Sequence, residues 1–214
     1  MTGYFVTGTD TGVGKTHVTE ALARCARTLG KKVFAFKPVE TGCEVVGDRR
    51  VGADMEALWK AAGSWQTGEL RGVYHFLTPV APLVAARDES VEIDLARIDR
   101  VFREGVAQSD IVLVEGAGGW RVPFTDTADV STLAKQTGLP VVIVSRATLG
   151  TINHSLLTIE AASRDGCTVA ALVLSRRPDE NADFARSNRD EILARWKGTV
   201  LIYEGSDAVL RPLF

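Results

Sequence analysis

The 214-residue chain has 45% hydrophobic residues, 24% charged residues and a formal net charge of −2 at pH 7. A near-neutral net charge argues against unspecific nucleic-acid binding, which requires a broad basic face, and no run approaches the roughly 18 apolar residues of a membrane span. No secretory leader is visible at the N-terminus. The cysteines Cys25, Cys43 and Cys167 fit neither a disulfide framework nor a zinc pattern. We therefore expect one cytoplasmic domain over residues 1–214 that binds a small molecule.

Short apolar runs alternate with helical patterns along the chain. The predicted strands are Tyr4–Thr7, Val33–Phe36, Ile111–Val114, Val141–Val144, Val169–Leu174 and Thr199–Tyr203. The predicted helices are Lys15–Leu29, Asp54–Ala62, Leu95–Ala107, Thr151–Arg164 and Asn181–Trp196. Strands without polar alternation are typical of a parallel sheet covered on both faces. The sequence therefore predicts an α/β, doubly wound, mostly parallel sheet with helices on both faces, and leaves the strand order open.

A phosphate-binding loop lies between the first predicted strand and the first predicted helix. Residues Gly8–Thr16 read GTDTGVGKT and match the pattern G-x-x-x-x-G-K-[ST]. Small residues let backbone N–H groups surround a phosphate, and the start of the helix adds a partial positive charge. In this pattern Lys15 reaches the β- and γ-phosphates and the Thr16 hydroxyl binds Mg²⁺. The strand–loop–helix setting predicts a fold of the P-loop NTPase type.

Charged residues follow two further predicted strands. Lys37 comes directly after the second strand, where a point charge can stabilise a transferring phosphoryl group. Glu115 follows the third and opens the sequence EGAGG, at the position where a P-loop protein needs a metal-holding carboxylate. Asp54 stands at a helix start, and its spacing alone favours a role as an N-terminal cap. The helix start at Gly150–Ser155 could bind a carboxylate through its N–H groups. These residues indicate phosphoryl transfer and leave the acceptor open.

An ordered set of segments resembles the dethiobiotin synthases. The set comprises Gly8–Thr16 (GTDTGVGKT), Lys37–Gly42 (KPVETG), Phe76–Pro82 (FLTPVAP), Glu115–Gly119 (EGAGG) and Gly150–Thr158 (GTINHSLLT). The resemblance implies a homodimeric ligase of biotin biosynthesis that uses ATP, Mg²⁺ and CO₂ or bicarbonate. In the implied reaction one amine of 7,8-diaminononanoate is carboxylated and ATP phosphorylates the carbamate. The second amine then closes a cyclic urea with loss of phosphate.

The resemblance also implies roles for individual residues. Lys15 and Lys37 are catalytic because they neutralise phosphate and carbamate oxygens. The implied nucleotide- and metal-binding residues are Gly12, Val13, Gly14, Lys15, Thr16, His17, Asp54, Glu115 and Ser175, of which Thr16, Asp54 and Glu115 hold Mg²⁺. The implied substrate-binding residues are Thr11, Lys37, Thr41, Gly118, Gly150 and Asn153. The last two belong to the partner subunit, so that the substrate site lies at the subunit interface.

Departures from the family pattern predict that the nucleotide base is read loosely. Many members have an Asn-Asp pair where this chain has Ser175, Arg176 and Arg177, and many have a proline where it has Val200–Glu204. An asparagine can offer adenine both a donor and an acceptor, whereas arginine offers only donors. We therefore predict that CTP or GTP supports turnover within roughly tenfold of ATP. Thr41 stands where the family often has serine and keeps the hydroxyl.

Two other protein classes share this style of loop. Cobyrinate amidases carry a large additional glutaminase domain, for which 214 residues leave no space. Regulatory ATPases such as the partitioning and septum-site ATPases carry a second lysine early in the loop, where this chain has Thr9, Asp10 and Thr11. Dependence of ATP turnover on the diamine and bicarbonate distinguishes a dethiobiotin synthase from both.

Overall fold

A six-stranded sheet forms the centre of the computed structural model, which describes residues 2–214. In chain order the strands are β1 (Thr2–Gly8), β2 (Val33–Phe36), β3 (Val39–Thr41), β4 (Glu44–Val46), β5 (Arg49–Val51), β6 (Tyr74–Phe76), β7 (Ile111–Gly119), β8 (Val141–Arg146), β9 (Val169–Ser175) and β10 (Thr199–Tyr203). The α-helices are α1 (Lys15–Thr28), α2 (Ala53–Ala61), α3 (Pro82–Asp88), α4 (Leu95–Ala107), α5 (Val130–Thr137), α6 (Thr151–Arg164) and α7 (Ala182–Arg195). Short 3₁₀-helices cover Gly68–Arg71 and Asp207–Leu213.

The central sheet has the strand order β10-β9-β8-β1-β7-β2, and its neighbouring strands all pair in parallel. Strand β1 therefore lies between β7 and β8 in the middle of the sheet. The carboxyl ends of all six strands point to one edge, where open α/β sheets bind their ligands. A parallel pair of β3 and β6 and an antiparallel hairpin of β4 and β5 lie outside this sheet.

Side chains of alternate residues enter two separate cores on the two faces of the sheet. In β2, for example, Phe34 and Phe36 pack into one core, while Val33 and Ala35 pack into the other. Residues of α3, α4, α5, α6 and α7 complete the first core. Residues of α1, α2 and the 3₁₀-helix Asp207–Leu213 complete the second. The predicted doubly wound parallel sheet with helices on both faces is confirmed.

Every strand and helix predicted from the sequence is present, with one notable difference in length. Strand β7 continues through Glu115 to Gly119, whereas the prediction that it ends at Val114 is wrong. Glycine-rich segments disfavour strands, but here pairing with β1 continues: Val6 pairs with Glu115 and Gly8 with Gly119, with an irregularity between them. The short elements β3 to β6, α3 and α5 were not predicted. No helix within residues 2–214 is long and apolar enough to cross a membrane.

Candidate active site at the carboxyl edge of the sheet

The loop Gly8–Thr16 connects β1 to α1 at the carboxyl edge of the sheet. Gly14 has φ 97°, and a Cβ atom on it would lie 2.5 Å from Ser175 Oγ, so only glycine fits there. The end of β9 therefore packs directly against the loop. Lys15 Nζ donates to the carbonyl of Asp10 at 3.0 Å. Burial lowers the pKa of Lys15 to about 8, although Glu115 partly opposes this effect.

Sheet register brings Lys37 and Glu115 together. Phe36 at the end of β2 pairs with Val114 of β7, so that the next residue on each strand lies at the same level. Lys37 Nζ lies 3.0 Å from Glu115 Oε1, and it also forms an ion pair with Asp54. Burial lowers the pKa of Lys37, but the carboxylates of Glu115, Asp54 and Glu40 outweigh burial and raise it above its ordinary value. Lys37 is therefore an ammonium in the protein without bound ligands.

Two hydroxyl groups of α1 surround the Glu115 carboxylate, which has no exposed surface. Thr16 Oγ1 donates to Glu115 Oε1 at 2.9 Å, and Thr19 Oγ1 lies 2.8 Å from Glu115 Oε2. Together with Lys37, they satisfy both oxygens of a carboxylate that would otherwise be costly to bury. This network joins the central strand β7 to the first turn of the helix that follows the phosphate-binding loop.

Asp54 lies in the first turn of α2, but it is not the helix cap that its spacing favoured. The N-cap position is Gly52, which has no side chain to offer. Instead, the carboxylate of Glu40 accepts hydrogen bonds from the backbone N–H groups of Asp54 and Met55, at 2.9 and 2.7 Å. The Asp54 side chain is thus free to pair with Lys37. Burial raises the pKa of Asp54, but the Lys37 ammonium outweighs it and holds that pKa below its ordinary value.

The chemistry of Thr16, Asp54 and Glu115 fits Mg²⁺. All three offer hard oxygen atoms, and the Lys37 ammonium already bridges the two carboxylates. Within residues 2–214 no group of three His, Cys, Asp or Glu side chains is arranged as a metal site. A set of two carboxylates and one hydroxyl suits Mg²⁺, which usually keeps several waters and shares the oxygens of substrate phosphates.

A cavity of about 1050 Å³ lies over this network. The residues predicted for the site that line it are Thr11, Gly12, Val13, Gly14, Lys15, Thr16, His17, Lys37, Thr41, Asp54, Gly118 and Ser175. Glu115 lies beneath its floor, in contact with Thr16 and Lys37. Gly150 and Asn153 do not line this cavity. The chain therefore brings together all the predicted site residues except those assigned to a partner subunit.

Three polar residues at this edge were missed by sequence reasoning. Glu40 caps α2, Thr19 contacts Glu115, and Arg146 at the end of β8 lines the cavity. Arg146 comes at the end of an apolar run, as Lys37 does, and this position could have predicted that it lies at the site. Thr19 lies one helical turn after Thr16, on the same face of α1. Glu40 had no local signal, because its partners are backbone groups.

Comparison with known proteins identifies the family. A family model described as an AAA domain matches residues 2–202. The chain is 44% identical to the ATP-dependent dethiobiotin synthetase BioD of Anaeromyxobacter dehalogenans (strain 2CP-C), over 90% of this chain and 84% of that protein. It is 43% identical to the protein of the same name from Aromatoleum aromaticum, over 87% of this chain and 86% of that one. The chain belongs to the ATP-dependent dethiobiotin synthetase family.

Solved structures with low sequence identity share the fold of this dethiobiotin synthetase family member. The MinC:MinD cell division protein complex of Aquifex aeolicus matches with a TM-score of 0.57 and 15% identity, over all of this chain and 85% of that chain. The septum site-determining protein MinD of Pyrococcus horikoshii, complexed with Mg-ADP, matches with a TM-score of 0.56 and 13% identity, over 99% of this chain and 85% of that chain. At these identities the likeness shows the fold alone, and it confirms the P-loop NTPase type.

The ends of β9 and β10 and the residues that follow them form one side of the cavity. Arg176 lies there, and its Nε atom donates to Glu204 Oε1 at 2.7 Å. Its backbone N–H donates to the carbonyl of Tyr203 at 2.9 Å, which joins the two strand ends. The backbone N–H of Arg177 donates to Glu180 Oε2 at 2.9 Å. The Arg176 guanidinium is therefore engaged by the Glu204 carboxylate of the same chain.

The start of α6 presents apolar side chains to solvent. Gly150 occupies its N-cap with φ 92°, and Asn153 in its first turn is exposed. Leu149 is 90% exposed and Leu157 is 56% exposed. In this member of the dethiobiotin synthetase family, the segment predicted to reach a partner's substrate thus lies beside leucines that would gain from burial.

Proposed function

We propose that this protein is an ATP-dependent dethiobiotin synthase, a ligase of biotin biosynthesis. It would convert 7,8-diaminononanoate, CO₂ and ATP into dethiobiotin, ADP and phosphate. The observation that carries the proposal is the buried Lys37 ammonium between Glu115 and Asp54, beside a phosphate-binding loop, in a chain of this family. A buried, fixed positive charge is what a carbamate and a transferring phosphoryl group both require.

The loop Gly8–Thr16 would hold the triphosphate of ATP. Its backbone N–H groups and the start of α1 attract anionic oxygens, and Lys15 lies in the loop with its ammonium on the carbonyl of Asp10. Bound phosphates would replace this carbonyl as the partner of Lys15. Phosphate oxygens would also oppose the effect of burial on Lys15 and favour its charged form.

Thr16, Asp54 and Glu115 would hold Mg²⁺ together with waters and phosphate oxygens. The bound ion would neutralise charge on the β- and γ-phosphates. Thr19 and Lys37 also contact Glu115, so that this carboxylate is held in one orientation. The protein's contribution to metal binding is then the fixed placement of two carboxylates from different elements.

Lys37 would stabilise the charge that develops during phosphorylation of the carbamate. A carbamate oxygen attacks the γ-phosphorus and ADP leaves. The second amine then attacks the carbonyl carbon, phosphate departs, and that amine loses a proton to give the cyclic urea. Burial lowers the pKa of Lys37, but Glu115, Asp54 and Glu40 outweigh burial, so that Lys37 meets the substrates as an ammonium. Its role would be electrostatic, as a positive charge placed beside the developing negative charge.

The diamine would lie in the same cavity, next to Thr11, Thr41 and Gly118. Its carboxylate would bind the start of α6, at Gly150–Asn153 of a partner subunit in a homodimer. The exposed leucines beside this helix start support such an interface. The proposal includes a cytoplasmic location, where ATP and bicarbonate are available.

The experiment that tests the proposed function is the dependence of ATP turnover on substrate. We expect phosphate release to require both 7,8-diaminononanoate and bicarbonate, and dethiobiotin to form in equal amount. The control omits each substrate in turn. Turnover that is independent of the diamine would instead indicate a regulatory ATPase.

A further inference from the structure

Apart from its effect on the pKa of Lys37, Glu40 has no role in the reaction described above, although it is a buried carboxylate of the KPVETG segment. It lies on β3, is 6% exposed, and sends its side chain toward the start of α2 rather than into the centre of the cavity. Oε1 accepts from the backbone N–H of Asp54 at 2.9 Å, and Oε2 accepts from that of Met55 at 2.7 Å. Both oxygens are therefore used to hold one turn of backbone.

Glu40 accepts hydrogen bonds from two backbone N–H groups of the kind that have no partner within the helix, because they lie in its first turn. They belong to the second and third residues of α2, and the cap position before them is Gly52, which has no side chain. A helix is usually capped by its own preceding residue, but here a strand fourteen residues earlier in the chain supplies the cap. The carboxylate also meets the partial positive charge of the helix start.

The Glu40 carboxylate occupies the space that a side chain at position 52 would need. A Cβ atom at Gly52 would lie 2.3 Å from Glu40 Oε2 and 2.4 Å from its carboxyl carbon. Gly52 has φ −86°, an ordinary backbone conformation, so that the requirement for glycine here is one of space. Glu40 and Gly52 thus form a close contact between β3 and the start of α2.

This contact fixes the position of the Asp54 backbone. The Asp54 side chain, on the same turn, pairs with Lys37, which in turn contacts Glu115. We propose that Glu40 is a positioning residue that fixes the backbone of Asp54 so that its carboxylate points into the Mg²⁺ site. The inference rests on the proposed metal-binding role of Asp54. Residues that orient metal ligands typically alter metal affinity by about 10–100-fold when they are changed.

The test measures Mg²⁺ binding rather than turnover. Mg²⁺ is titrated by calorimetry into protein saturated with a non-hydrolysable ATP analogue, for the wild type, Glu40→Gln, Asp54→Asn and the double variant. Glu40→Gln keeps the volume, but it replaces one of the two accepting oxygens by an NH₂ group, a donor that cannot accept from the backbone N–H group facing it. We expect it to weaken Mg²⁺ binding roughly tenfold. In the Asp54→Asn background we expect Glu40→Gln to weaken Mg²⁺ binding by less than about a further twofold, because Glu40 acts through the Asp54 carboxylate.

Asp94→Ala is the matched control, because Asp94 caps α4 through the N–H of Ala96 and does not line the cavity. It should lower the melting temperature without changing Mg²⁺ affinity. The inference is overturned if Glu40→Gln behaves in the same way, or if its effect adds in full to that of Asp54→Asn. Gly52→Ala gives an independent check, since its Cβ displaces the Glu40 carboxylate and should weaken Mg²⁺ binding in the same direction.

Dethiobiotin formation by the wild type is measured separately. An active enzyme whose Mg²⁺ affinity is unchanged in Glu40→Gln would contradict the positioning role and leave the proposed function standing. An inactive wild type in which Glu40→Gln still weakens Mg²⁺ binding through Asp54 would contradict the function and leave the positioning role standing.

Discussion

Lys37 Nζ lies 3.0 Å from Glu115 Oε1, and Glu115 has no exposed surface. An ammonium this close to a buried carboxylate is held by the fold before any substrate arrives. Removal of the lysine would leave that carboxylate with only its hydroxyl partners, which costs stability as well as function.

Lys37→Ala and Lys37→Met should lower dethiobiotin formation by about 10²–10³-fold, the usual effect of losing one electrostatic donor of about 2.7–4 kcal/mol. Nucleotide binding should change much less than turnover, because the phosphate-binding loop remains intact. Single-turnover kinetics and equilibrium ATP binding measure the two effects. Lys31→Ala, at an exposed lysine, is the control. Near-normal product formation by Lys37→Ala would contradict its catalytic role.

Glu115→Gln and Asp54→Asn should each raise the Mg²⁺ concentration needed for half-maximal turnover. Each replaces a negatively charged oxygen donor by a neutral amide, which Mg²⁺ binds less well. The measurement is turnover as a function of free Mg²⁺ at saturating ATP and diamine. Asp99→Asn on α4, whose carboxylate pairs with Arg103, should leave the requirement unchanged. A structure with nucleotide and Mg²⁺ in which Asp54 points away from the metal would refute its assignment.

The double variant Leu149→Asp/Leu157→Asp should separate the subunits of the proposed dimer. Leu149 precedes α6 and Leu157 lies near the middle of it; both are exposed, and a charge at each would oppose burial in an interface. We expect a monomer that binds ATP normally and the diamine poorly, as judged by sedimentation and by titration of each ligand. Leu29→Asp is the control, because Leu29 is 57% exposed at the end of α1. A verified monomer with full activity would show that the partner contributes nothing to the substrate site.

CTP or GTP should support turnover within roughly tenfold of ATP, a difference of about 1.4 kcal/mol. Arg176, near the end of β9, is engaged by Glu204 and offers only donors, and Ser175 packs on the phosphate-binding loop. The measurement is kcat/KM for the four nucleoside triphosphates at saturating diamine. A preference for ATP above about a hundredfold, or about 2.7 kcal/mol, would mean that the C-terminal third of the chain reads adenine.

Much of the candidate site could be predicted because its residues stand at strand ends. Lys37 and the loop Gly8–Thr16 each follow an apolar run, and parallel strands bring such positions to one edge. Contacts that depend on strand order could not be predicted. Thr19 and Glu115 are 96 residues apart and meet only because β7 lies beside β1.

Capping of α2 was missed for a different physical reason. Capping patterns read from sequence assume that the cap precedes its helix, and Asp54 fitted that pattern. In the structure Glu40 on strand β3 caps the helix. The Asp54 carboxylate, in the first turn of α2, is therefore available to pair with Lys37. The extent of β7 was missed because its glycines suggested a loop.

The fate of the bicarbonate carbon tests the proposed function most directly. Purified protein is given ATP, Mg²⁺, 7,8-diaminononanoate and ¹³C-bicarbonate, and the product is examined by mass spectrometry and ¹³C NMR. The account predicts one labelled carbon per dethiobiotin, in the ureido carbonyl, with one phosphate released for each. ATP hydrolysis without labelled dethiobiotin would contradict it.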